Sequence, residues 1–73
     1  MARVLVVEDH VILRYALAHW LREKGHEVLE AATADEALAV LKSIVTVDIV
    51  VTDAGIVVGT YDPAGPVGHG LIT

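Results

Sequence analysis

Apolar residues along this chain switch repeatedly between two spacings, and the switches mark out its elements. Residues 3–7, RVLVV, are apolar at successive positions without alternation, the pattern of a strand covered on both faces in a parallel sheet. From Val11 to Lys24 the period changes: Leu13, Leu17, Trp20 and Leu21 recur at helical spacing with Ala16 beside them, while Tyr15, His19 and Arg22 point the other way. This predicts an amphipathic helix with Trp20 in its core stripe. Gly25 follows where a left-handed C-cap is expected, and HEVLEA (26–31) mixes glutamates with Val28 and Leu29 as a half-exposed edge strand does. TADE (33–36) has the capping-box form and opens a second helix, whose inner stripe is Ala34, Ala37, Leu38 and Leu41 and which ends near Lys42 and Ser43. DIVVT (48–52) is a third strand, apolar on both faces like the first.

The order is βαβαβ, and right-handed crossovers restrict its topology. If the second connection runs back past the first strand, the sheet has three parallel strands in order 2-1-3, with one helix on each face and the glutamate-bearing strand outermost. That order places a switch point between the first and third strands, and open α/β sheets bind ligands outside the carboxyl ends of strands at such a point. Glu8, Asp9 and Asp53 fall at those ends.

Size and charge narrow the function classes. A chain of 73 residues is one domain at most, and 55% hydrophobic residues with a mean hydropathy of +0.62 leave apolar surface either exposed or covered by a partner. The apolar runs, broken by Asp48 and Asp53, fall short of the roughly 20 residues that cross a bilayer. MARVLVVEDH has no small-residue cleavage site, so a cytoplasmic location is the default expectation. The absence of cysteine excludes disulfides and thiolate metal sites, and a net charge of −5 argues against direct nucleic-acid binding.

Three carboxylates converging on one crevice repel each other unless a cation or a proton relieves them. Mg²⁺ suits such a set, because it takes one or two carboxylates, keeps several waters and shares its remaining positions with phosphate oxygens. Asp53 can then act as a carboxylate nucleophile toward a phosphoryl group. A second reading stands beside this one: Asp9 caps the first helix and Asp53 simply ends a strand.

VLVVEDH, the LR within the first helix, KGHEVLEAATADEALAVL and DIVVTD together resemble the first half of a response-regulator receiver domain, the phosphoacceptor module of two-component signalling. The resemblance covers residues 3–53 nearly without gaps. It implies a truncated flavodoxin-like fold, with Glu8 and Asp9 as the acid pair that binds Mg²⁺ and Asp53 as the acceptor of phosphate from a sensor histidine kinase or phosphotransfer protein. Gly55, two residues on, corresponds to the backbone carbonyl that also faces the metal. The module so implied is a signalling phosphoprotein in a phosphorelay rather than an enzyme.

After Asp53 the pattern departs. Ile56 and Val57 stand where the family has a Met-Pro-like pair, and GTYDP (59–63) only faintly resembles the following loop. Pro63, Gly65, Pro66, Gly68 and Gly70 oppose a third helix. The expectation is a receiver-like domain over 1–58 and a loop or flexible tail over 59–73. The family's fourth strand with its Ser or Thr and fifth strand with its Lys have no counterpart, and Lys24 and Lys42 fall at helix ends opposite the acids.

An alternative class is a non-catalytic interaction module, since an apolar third strand at a sheet edge offers unpaired backbone groups and invites a homodimer. Tyr15 and Val11 gain interface character from the missing last helix, and Trp20 is weighed as core. His10 reads as a solvated loop residue beside the acids. His19, His26 and His69 share no metal-site spacing and read as surface.

Overall fold

The computed structural model describes residues 1–52 in full and the backbone of 55–61 and 71–72 as strands. Its elements run β1 (Arg3–Val7), α1 (Val11–Glu23), β2 (Glu27–Ala31), α2 (Ala34–Leu41), β3 (Val47–Thr52), β4 (Gly55–Tyr61) and β5 (Leu71–Ile72). β1 pairs in parallel with β2 on one side and β3 on the other, so the three predicted strands stand in the expected order 2-1-3 with β2 outermost.

Alternation along β1 divides the core into two layers. Leu5 joins Ala31, Val50, Val47 and the α2 residues Ala37 and Leu41 in one buried cluster, with Val7, Leu29 and Val40 packed against it. Val4 and Val6 point to the other face and are equally buried, as is Ala18 of α1. On that same face Val28 and Glu30 lie beside Val4 and Val6, and Arg14 and Arg22 of α1 reach Glu30. The two helices therefore cover opposite faces.

Local signals fix the turns. Gly25 has φ +90°, the left-handed conformation that closes α1 and that a residue with a Cβ adopts only under strain. Thr33 accepts from the Glu36 amide at 3.1 Å, and the Glu36 carboxylate accepts in return from the Ala32 amide at 3.0 Å, one residue before the cap. At the amino ends of the strands Asp48 accepts from the Arg3 amide at 2.8 Å, while the Arg3 guanidinium donates to Glu27 at 2.7 Å and to the Thr46 carbonyl. This clamp ties β3 and β2 to β1.

Three expectations are corrected. Trp20 is 57% exposed and does not belong to the core; the stripe that meets the sheet is Arg14, Leu17, Ala18 and Leu21, which turns Trp20 and Leu13 outward. Within α2, Ala34 and Leu38 are likewise exposed, and Ala37, Val40 and Leu41 face in. In both helices apolar residues occupy more than one face, so periodicity alone admitted two orientations.

The third correction concerns the sheet. β4 pairs antiparallel with β3, Thr52 lying opposite Gly55 and Val50 opposite Val57, and β5 pairs with β4. The sheet order is thus β2-β1-β3-β4-β5. Gly59, Thr60 and Tyr61, expected in the loop or tail, belong to β4, and the edge of β3 expected to carry a homodimer is paired within the chain. The physical reason is the β-branched and aromatic content of GIVVGTY, joined to β3 by only two residues. A register irregularity between Val47 and Ile49 of β3 falls opposite Gly59 and Thr60, where a glycine accommodates a bulge. Residues 62–70, including Pro63, Gly65, Pro66, Gly68, His69 and Gly70, lie outside the described residues. No helix among the described residues is long and apolar enough to cross a membrane.

Candidate functional site

β1 and β3 run in parallel with Val7 opposite Thr52, so both end at the same edge of the sheet about 4.8 Å apart. Glu8 follows Val7 and Asp53 follows Thr52 in the chain. Asp53 lies outside the described residues, so of the three carboxylates expected to converge the structure places Glu8 and Asp9 beside the end of β3. Val7, Glu8, Asp9 and Thr52 line one cavity of about 300 Å³, whose far wall is Ala32, Thr33 and Ala34 at the start of α2. Gly55 sits opposite Thr52 at this same end.

The loop from β1 to α1 is held by its own backbone and by Arg14. The Glu8 amide donates to the Ala31 carbonyl at 3.0 Å, which ties the loop to the end of β2. The Glu8 carboxylate accepts from the His10 amide at 3.1 Å, and the Glu8 carbonyl accepts from Arg14 Nη1 at 2.9 Å. Arg14 is largely buried, and its Nε lies 3.6 Å from Glu30, which also pairs with Arg22 at 3.1 Å. Arg14 was absent from the candidates drawn from sequence. The signal for it was a cation at an inward helical position, one turn before Leu17 and Ala18, which requires acceptors on the facing strand.

The N-cap of α1 is His10, whose Nδ1 accepts from the Leu13 amide at 3.2 Å. His10 is therefore exposed, as expected for a loop residue, but carries a structural hydrogen bond. The cap is not Asp9, so the reading in which Asp9 serves only as a helix cap fails. The Asp9 side chain is exposed and makes no hydrogen bond among the described residues. His19 pairs with Glu23 at 3.1 Å on the outer face of α1, and His26 Nδ1 accepts from the Ala2 amide; neither is near the cavity. A second hollow, about 220 Å³, lies at the opposite end of the sheet among Met1, Ala2, Arg3, Glu27, Thr46 and Asp48, and its polar groups serve the Arg3 clamp.

The donor set fits a hard divalent cation. Glu8 has one carboxylate oxygen beyond its bond to His10, Asp9 has two, and both acids line a cavity with room for water, as Mg²⁺ requires. No group of three or more His, Cys, Asp or Glu side chains is assembled among the described residues, Asp53 not being one of them. No family model, curated protein or solved structure matches the chain.

Proposed function

We propose that this chain is a receiver-like phosphoacceptor, in which Asp53 takes a phosphoryl group from a sensor histidine kinase or phosphotransfer protein in a cytoplasmic phosphorelay. The observation that carries the reading is the single cavity at the carboxyl ends of adjacent parallel strands, lined by Glu8 and Asp9 from β1 and by Thr52, the residue before Asp53, from β3. Glu8, Asp9, Asp53 and the Gly55 carbonyl are the groups that would hold Mg²⁺. When bound, the ion offsets charge on the phosphoryl oxygens.

Each residue has a part. An Asp53 carboxylate oxygen forms the new bond to phosphorus as the donor's leaving group departs with its electron pair. Glu8, fixed by the His10 amide and by Arg14 through its carbonyl, holds a constant position, whereas Asp9 is free to turn toward a cation. The test is incubation with Mg²⁺ and acetyl phosphate followed by intact mass. The expected result is the gain of one phosphoryl group, abolished by Asp53→Asn and by omission of Mg²⁺. No gain, or a gain retained in Asp53→Asn, removes the reading.

A second reading, a non-catalytic interaction module, is favoured by one observation of its own. α1 exposes Val11, Ile12, Leu13, Tyr15 and Trp20 together, an unusual concentration of large apolar side chains on one surface helix. Binding through α1 that is unaffected by Asp53→Asn would support this reading without the first.

A further inference from the structure

β2 is an outer strand of the sheet, with β1 on one side of it. Two bonds fix which of its backbone groups face outward: the Glu27 amide donates to the Ala2 carbonyl, and the Ala31 carbonyl accepts from the Glu8 amide. Glu27, Leu29 and Ala31 thus turn their N–H and C=O toward β1, and Val28 and Glu30 turn theirs away from it. The glutamates do not block this edge, because the side chains of a strand stand above and below the sheet rather than beside it. Their carboxylates are engaged there, Glu27 by Arg3 at 2.7 Å and Glu30 by Arg22 at 3.1 Å.

Arg22 does reach the edge. The nitrogen that pairs with Glu30, Nη2, also donates to the Val28 carbonyl at 3.0 Å, one of the outward-facing acceptors. It comes from the last turn of α1, so the helix on that face sends a cation over the side of the sheet. Neither an ion pair with Glu30 nor a cation at a helix C-terminus requires a bond to Val28, whereas closing the edge does. We propose that Arg22 guards the outer edge of β2 against pairing with β2 of a second copy of this chain.

The excluded contact has a definite form. Two-fold antiparallel pairing sets Leu29 opposite Leu29, and Val28 of each copy opposite Glu30 of the other, a pair that exchanges both N–H···O bonds. A shifted register with Glu30 against Glu30 is disfavoured by like charge. The bond from the second copy's Glu30 amide takes the Val28 carbonyl that Arg22 occupies, so the dimer forms only by releasing both guanidinium groups. At a side chain 48% exposed, a bond from a charged donor is worth about a factor of ten in an equilibrium constant, and two released bonds roughly a hundredfold. The guard depends neither on chemistry at Asp53 nor on the apolar face of α1.

Sedimentation velocity of the full chain and of Arg22→Met over one concentration series tests this. Methionine keeps the unbranched stem and removes the donors. Arg22→Met should associate at concentrations where the native chain is a monomer, with an onset about a hundredfold lower. Its Val28 and Glu30 amides should gain protection from hydrogen exchange as it does so. Thr33→Ala, which weakens the fold at the cap of α2 and leaves β2 untouched, should sediment as the native chain does. Adding Val28→Pro to Arg22→Met should undo the association, since proline deletes an N–H that points away from β1 and no bond within the sheet. An Arg22→Met chain that stays monomeric throughout, or whose onset lies within about tenfold of the native one, overturns the proposal. So does association that leaves the Val28 and Glu30 amides unprotected, that Thr33→Ala reproduces, or that survives Val28→Pro. Should the double variant lose its circular dichroism, hydrogen exchange and the Thr33→Ala control decide.

Discussion

Replacing Arg14 by methionine isolates the contact that holds the acidic loop. Methionine retains an unbranched stem for the packing beside Leu17 and Ala18 but removes every donor. Two interactions are lost: the 2.9 Å bond from Nη1 to the Glu8 carbonyl and the 3.6 Å approach of Nε to Glu30. A hydrogen bond with a charged donor contributes about 1.5–3 kcal/mol, and partial exposure of Arg14 places this one near the lower end. The ion pair is long and only partly shielded from solvent, so it adds under about 1 kcal/mol. Glu30 keeps Arg22 at 3.1 Å, so no unpaired buried charge is created. The total is about 2 kcal/mol, against about 4–11 kcal/mol for a chain of this length. The midpoint of thermal unfolding should fall by roughly 8–16 °C. Urea titration followed by far-UV circular dichroism measures the loss. Arg14→Lys should recover part of it, since lysine supplies the charge without the planar fork. A methionine variant within about 0.5 kcal/mol of the native chain refutes the assignment of Arg14 as the residue that fixes Glu8.

Other substitutions test the fold around the site. Leu5→Ala, at a fully buried position between β2, β3 and α2, should cost about 3 kcal/mol in a urea titration. Gly25→Ala should cost about 1 kcal/mol by the same measurement through backbone strain alone, because a Cβ there meets nothing within 4 Å. Thr33→Ala removes the α2 cap and should cost about 1 kcal/mol, read as a lower thermal midpoint, with Thr33→Ser recovering most of it.

The parallel half of the fold is legible in sequence because its signals are local and agree with one another. Unalternating RVLVV and DIVVT, the glutamates of HEVLEA, Gly25 and the Thr33–Glu36 box each act within a few residues, and together they leave few topologies. What the pattern left open was orientation. Trp20 and Leu38 are apolar on helices that carry apolar residues nearly all round, and only the facing sheet selects which side is buried. Arg14 was hidden for the same reason, its role depending on a carbonyl at residue 8 and a carboxylate on β2. β4 was missed because a reading that expects a loop gives weight to glycine and proline, whereas GIVVGTY with a two-residue connection is a hairpin arm in its own right. In the site, the meeting of Glu8 and Asp9 with the end of β3 follows from strand order alone, while His10 as the cap of α1 follows from side-chain geometry that no spacing reveals.

β4 also determines what the third strand can do. While Thr52 to Val47 are paired with Gly55 to Tyr61, β3 has neighbours on both sides, and self-association through it requires β4 to leave first. That exchange replaces one antiparallel partner by another, so it gains little enthalpy and forfeits the advantage of a partner tethered by two residues, whose effective concentration is in the millimolar range or above. A chain ending at Ala54 removes the tether. Its β3 edge, with Ile49 and Val51 half-buried beside it, then offers the row of unpaired N–H and C=O groups that recruits another strand. The shortened chain should therefore form larger assemblies at concentrations where the full chain does not, with a gain of strand signal in its infrared amide band. A shortened chain with the full chain's sedimentation behaviour would mean that β4 is not what protects β3.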